Sequence, residues 1–158
     1  MNVLVVADDP NLATLWGGVL KERGHDVSVA DTETAALESL TAIPRDLVVL
    51  DLCVKGKSRL GLAVEVSRRN PSCRLIIVSG SAEYSDDAFH AVSPAVSAAL
   101  RKPVDIEDLI DVCDVLGSKE RPATPITLKD SRGVELRKRQ GSIGRIAHEA
   151  YRAKRELL

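Results

Sequence analysis

Four short apolar runs in this chain each stop at a polar residue, and that repetition limits the fold more than any other feature. VLVV at 3–6 leads into Ala7, Asp8 and Asp9, and LVVL at 47–50 leads into Asp51. LIIV at 75–78 leads into Ser79, and VSAAL at 96–100 leads into Arg101, Lys102 and Pro103. Short β-branched runs alternating with helical periodicity make βαβ units and a parallel sheet. Ligands of such open sheets bind beyond the carboxyl ends of the strands. Asp8, Asp9, Asp51, Ser79 and Lys102 are therefore expected to converge on one edge, a place suited to a divalent cation plus a phosphoryl group.

The segments between the runs carry the matching helix signals. Pro10 opens the first helix, where its absent N–H costs nothing, and Leu12, Leu15, Trp16, Val19 and Leu20 recur at helical spacing to a C-capping Gly24. Residues 25–30 read as a second strand, and Asp31 or Thr32 caps a helix bearing Ala36, Leu37 and Leu40. A Lys- and Gly-rich loop covers 51–58, a helix runs over 60–69 to Asn70-Pro71, and a weakly patterned helix lies near 86–92. Asp105 caps a last helix over 106–116. Five strands, five helices and right-handed crossovers give an α/β fold: a doubly wound, five-stranded parallel sheet of flavodoxin-like strand order 2-1-3-4-5.

The chain has 158 residues, enough for one such domain and an appendage. With only 3% aromatic residues, the core has to be built from Val, Leu, Ile and Ala. Residues 1–116 carry 11 basic and 18 acidic side chains, net −7, whereas 117–158 carry 11 and 5, net +6. The expected organisation is a domain over 1–117, a linker over 118–141 and a basic amphipathic helix over 142–158. Ile143, Ile146, Ala147, Ala150 and Tyr151 form the apolar stripe of that helix. An isolated helix of this length is marginal in water, so it is expected to dock on its own domain, on a second copy as a homodimer, or on a partner. One helix is too little for a helix-turn-helix, so no DNA-binding module is expected. No run approaches the roughly 20 apolar residues of a membrane span. The chain opens directly on a strand, without the pattern of a signal peptide. Cys53, Cys73 and Cys113 are odd in number and lack CxxC spacing, which points to a reducing, cytoplasmic setting.

A carboxylate at a strand end with a cation beside it can attack phosphorus and form an acyl phosphate, the role open to Asp51; as a lone acid it would equally be a helix cap or a solvated loop residue. Asp8 and Asp9 offer hard oxygen ligands to Mg²⁺, although Asp9 also stands where a helix ending the loop needs its N-cap. The Ser79 hydroxyl could donate to a phosphoryl oxygen, and Lys102 could pair with a carboxylate or a phosphoryl oxygen. A phosphatase using Asp51 would need a second acid two residues on, where Cys53 stands.

These residues and their spacing resemble the receiver domain of bacterial two-component response regulators, over about residues 1–117. Asp8 lies 43 residues before Asp51, Ser79 lies 28 after it, Lys102-Pro103 makes the Lys-Pro turn, and Asn70-Pro71 makes the exit from the third helix. The resemblance implies that Asp51 accepts a phosphoryl group from a histidine kinase or a phosphotransfer protein. It implies Mg²⁺ chelation by the acids and by the main-chain carbonyl of Cys53, with Ser79 and Lys102 reading the phosphoryl group. Signalling would then run by protein–protein contact with a downstream protein, and the chain would not be an enzyme in the usual sense. The chain departs from the family pattern at Ala7, where an acid is usual, at Lys55 (Pro), at Arg59 (Gly) and at Ala99, where the family carries an aromatic switch. Ala7 and Ala99 support an alternative, a phosphorylation-independent pseudo-receiver acting as an interaction module.

Overall fold

The computed structural model describes residues 1–54, 57–80, 86–117 and 126–127. In chain order the elements are β1 (Asn2–Val6), α1 (Pro10–Glu22), β2 (Asp26–Ala30), α2 (Glu33–Ala42), β3 (Leu47–Asp51), β4 (Cys53–Val54), β5 (Lys57–Ser58), α3 (Leu60–Arg69), β6 (Arg74–Ser79), α4 (Asp86–Val92), β7 (Val96–Arg101), α5 (Ile106–Gly117) and β8 (Ile126–Thr127). The main sheet runs β2-β1-β3-β6-β7-β8 with every pairing parallel. Its first five members reproduce the 2-1-3-4-5 order expected from the strand pattern.

The two faces are covered by different helices. Trp16 and Leu20 of α1 and Leu109, Val112, Cys113 and Leu116 of α5 pack on one face against Val3, Val5, Val49 and Val78. Ala36 and Leu40 of α2, Leu62, Ala63 and Val66 of α3 and Phe89 of α4 cover the other, against Leu4, Val6, Leu50 and Ile77. Burial on both faces is why β3 is a continuous apolar run and not an alternating one. Helix ends follow local chemistry. The Asp9 carboxylate accepts from the N–H groups of Asn11 and Leu12 and caps α1, Thr32 caps α2 through the Ala35 N–H, and Asp105 accepts from the Glu107 N–H at the start of α5. At the far end of α1, Gly24 sits at φ +83°, its N–H reaching Lys21 O at 2.9 Å and the His25 N–H reaching Leu20 O at 3.1 Å. That Schellman arrangement calls for a left-handed residue, which glycine supplies without a Cβ penalty.

Two segments differ from the reading of the sequence. The stretch 51–58, expected as loop, contains a short antiparallel pair, β4 with β5, closed at its base by the Arg59 N–H on Leu52 O at 2.8 Å. Pairing of two residues with two is too short to leave a periodic signal. Inside the expected linker, Ile126–Thr127 pairs with Ala98 and Ala99 as β8. Without it β7 would be an edge strand with unpaired N–H and C=O groups. The helix expected over 142–158, and Lys55, lie outside the described residues.

Candidate functional site

Strand register assembles the site. Asp51, the last residue of β3, is level with Val78, and Ser79, the last of β6, is level with Arg101. The Lys102 N–H donates to Ser79 O at 3.0 Å, extending the β6–β7 ladder one residue beyond the strand. This sets Lys102 two strands from Asp51 at the same carboxyl edge, and its Nζ reaches Asp51 Oδ2 at 2.6 Å. Lys102 precedes a cis peptide bond to Pro103. A Cβ at Gly80 would meet the lysine's Cδ at 3.7 Å, so the lysine stem lies along the Gly80 backbone on its way to the acid.

The pair is lopsided in solvent. The Asp51 side chain is 3% exposed and that of Lys102 is 30% exposed. Burying a carboxylate costs several kcal/mol unless a cation and hydrogen bonds offset it. Here Oδ2 has the ammonium, while Oδ1 is buried with no hydrogen-bond partner. Ser79, 1% exposed, ends the neighbouring strand. Sequence reasoning placed Asp51, Ser79 and Lys102 together, and the register brings them together.

The acids after β1 are spread. Extending the register of Val6 with Leu50 puts Ala7 level with Asp51. Ala7 is fully buried in the apolar cluster under α1 and α5. Asp8 follows, half-buried, and Asp9 is exposed, with Oδ1 2.8 Å from the Asn11 N–H and 3.4 Å from the Leu12 N–H. Among the described residues no cluster of three or more His, Cys, Asp or Glu side chains is arranged to hold a metal ion. The convergence of three acids expected from the strand ends is thus not formed by side chains alone, because Asp9 turns into the α1 cap. What stands at the edge still fits a hard cation. Asp51 Oδ1 is an unpartnered buried oxygen, Asp8 adds a second carboxylate, and Mg²⁺ takes few protein oxygens and several waters. Cys53, two residues past Asp51, lies in β4.

Two neighbours of the site carry features that sequence reasoning passed over. Arg59, at the N-cap position of α3, makes no capping bond; its side chain runs toward β2 instead. On the sheet face that Ala99 shares, the aromatic group comes from another element. Phe89 of α4 is 1% exposed in the same cluster as Ala99, and the Arg101 guanidinium lies 5.7 Å from its ring centre. The signal was there in the single Phe of the chain, but α4 is too short to show which way it faces. Away from the site, burial pushes the Cys73 and Cys113 thiols up to about 12, so both are inert apolar packing groups. Burial lowers the His25 pKa, assisted by the positively charged N-terminus.

Known proteins share this fold. The family model for the response regulator receiver domain matches residues 3–114. The transcriptional regulatory protein GlrR of Escherichia coli (strain K12) is 31% identical over 123 residues, 78% of this chain and 28% of that protein. A putative NtrX-like response regulator of Rickettsia bellii is 28% identical over 112 residues, 70% of this chain and 23% of that protein. The chain therefore spans about a quarter of the length of these curated relatives. Among solved structures, the response regulator TrrA of Thermotoga maritima, in complex with Mg²⁺–BeF, superposes with a TM-score of 0.63 at 25% identity, covering 73% of this chain and 97% of that one.

Proposed function

The chain belongs to the response regulator receiver family, and from that membership we propose that it is the phosphoacceptor of a two-component relay, with Asp51 as the acceptor. One observation carries the assignment of the residue. Lys102 holds Oδ2 at 2.6 Å while Oδ1, buried at the same edge, has no partner, so the carboxylate is oriented and one oxygen keeps unused acceptor capacity for a cation or for phosphorus.

In the transfer, a carboxylate oxygen of Asp51 attacks the phosphorus of a phosphohistidine on a histidine kinase or phosphotransfer protein. A P–O bond forms, the P–N bond breaks, and the departing ring nitrogen keeps the electron pair and takes up a proton. Lys102 neutralises charge on the acyl phosphate, and the Ser79 hydroxyl donates to a phosphoryl oxygen. Asp8, Asp51 and the Cys53 carbonyl would hold Mg²⁺, which supplies charge neutralisation for the phosphoryl oxygens. Asp9, its Oδ1 engaged in the α1 cap, joins only through Oδ2 or a bound water. Attack of water on the acyl phosphate later releases inorganic phosphate and restores the carboxylate, so the chemistry is a self-limited modification and not turnover of a substrate.

Output by contact with a downstream protein fits this chain. GlrR is a transcriptional regulator by name, and the same end result here would require the signal to pass beyond the domain described. Among the described residues, no helix is long and apolar enough to cross a membrane. A cytoplasmic setting agrees with the free, buried Cys73 and Cys113. The burial of Ala7 in the core favours a second reading, the phosphorylation-independent interaction module, because the usual acid position has been given to packing. Intact mass after incubation with acetyl phosphate and Mg²⁺ separates the two. The wild type should gain one phosphoryl group and Asp51→Asn none; an unlabelled wild type, or equal labelling of both, would sink the acceptor reading.

A further inference from the structure

Asp51 Oδ1 is not the only buried polar atom without a partner among the described residues at this edge; Arg59 Nη1 is another, and it has the opposite chemistry. The path of the arginine is set by its two ends. Its N–H is bonded to Leu52 O, just past β3, and its Nη2 donates to Asp31 O at 3.5 Å, just past β2. β1 lies between those strands. The side chain is thus directed from the β3 side of the edge toward β2, across the end of β1, where Ala7 and Asp8 stand. Val6 faces the core under α2 and α3, and Ala7 faces the opposite one. Continuing that alternation one residue brings Asp8 to the side from which Arg59 comes. A half-buried guanidinium therefore lies over the acid edge at the strand whose usual second carboxylate is Ala7.

We propose that Arg59 is a further phosphoryl-binding residue of this site, its Nη1 donating to an oxygen of the phosphoryl group on Asp51 and its charge standing in for part of the divalent cation's. The inference rests on the reading of Asp51 as acceptor. The ligand chemistry is that of a phosphoryl oxyanion. Such a group on Asp51 places three acceptor oxygens outside the carboxylate, toward the crevice, and a guanidinium offers them planar, charge-assisted donors. A fixed cation here also repels Mg²⁺ from the empty acceptor site while favouring the phosphorylated state, so the two affinities should move in opposite directions when it is removed.

That opposition is the test, made on the full chain with Arg59→Gln and Arg59→Lys. Mg²⁺ is titrated calorimetrically without a donor, and acetyl phosphate labelling at saturating Mg²⁺ is followed by intact mass. Arg59→Gln should label about tenfold more slowly, the loss of one charge-assisted contact, yet bind Mg²⁺ several-fold more tightly; Arg59→Lys should fall between it and the wild type in both. A labelling rate within twofold of wild type overturns the proposal. So does a fall in Mg²⁺ affinity alongside the rate, since a merely distorted edge would lose both; a melting temperature for Arg59→Lys close to wild type keeps that comparison free of misfolding. If wild type and Asp51→Asn label alike, the acceptor reading itself has failed and this inference falls with it. If only the wild type labels and Arg59→Gln matches it, this inference alone has failed.

Discussion

On the β3–β6–β7 side of the sheet edge, Asp51 and Ser79 are buried at strand ends and Lys102 is drawn 2.6 Å onto the acid. On the β1 side, Asp8 is half-buried, Asp9 is exposed and spent on a helix cap, and Ala7 belongs to the core. The contrast separates two tasks. The half that would accept and read a phosphoryl group sits where strand register dictates position, and it is intact. The half that would hold a metal sits in a strand-to-helix turn, where an acid can serve the helix as readily as an ion. The phosphoryl-reading half is therefore expected to tolerate little change, and the metal half to be improvable.

The largest effect should come from Asp51→Asn, which removes the nucleophile and should abolish labelling by acetyl phosphate in intact-mass measurements; residual stoichiometric labelling would move the acceptor elsewhere. Next is Lys102→Ala. It leaves the Asp51 carboxylate buried without its cation, and the half-exposed setting of the lysine limits the cost to about 1–3 kcal/mol in denaturant unfolding. Labelling should slow as well. If stability and labelling are both unchanged, the 2.6 Å pair contributes nothing.

Ala7→Asp tests the other half. The position is fully buried, so the new carboxylate should lower the melting temperature of the metal-free protein. Added ligand charge should tighten Mg²⁺ binding severalfold, so the rise in melting temperature on adding Mg²⁺ should exceed that of the wild type. Weaker Mg²⁺ binding would show that position 7 does not face the metal half.

The smallest effect is expected outside the site. The Glu65 carboxyl on α3 is held down to about 2 by hydrogen bonds from Arg68 and then Arg69. Its folded value lies below its ordinary one of 4.5, so the stabilisation is present above that pH and is lost as the pH falls toward 2. The group is partly exposed on the outer side of α3, and salt screens such pairs. Glu65→Gln should leave the melting temperature at pH 7 and physiological salt, and the labelling rate, unchanged within error; a clear loss in either would mean that surface charge and site charge are not as separate as the two halves suggest.

Much of this was legible from residue order. Apolar runs of four or five residues marked β1, β3, β6 and β7, and the residues at or just past their ends named Asp51, Ser79 and Lys102, because the side chains where a strand stops lie at the sheet edge whatever surrounds them. Pro10 marked a helix start by its missing donor, and Gly24, Thr32 and Asp105 marked helix ends through bonds that reach no more than a few residues along the chain. Other features were settled only by tertiary structure. Whether Asp9 served the helix or a metal depended on which way one turn placed its carboxylate. The β4–β5 pair and β8 gain their hydrogen bonds from strands that happen to lie alongside, too briefly for any period to register. Phe89 came to lie under Arg101 on the face that Ala99 shares, and Arg59 to reach toward β2 past the end of β1, because α4 packs on β7 and α3 begins next to a strand order that puts β1 between β3 and β2. Local patterns carry short-range bonds and burial; the meeting of side chains from distant segments follows from strand order and packing, which no single stretch of the chain contains.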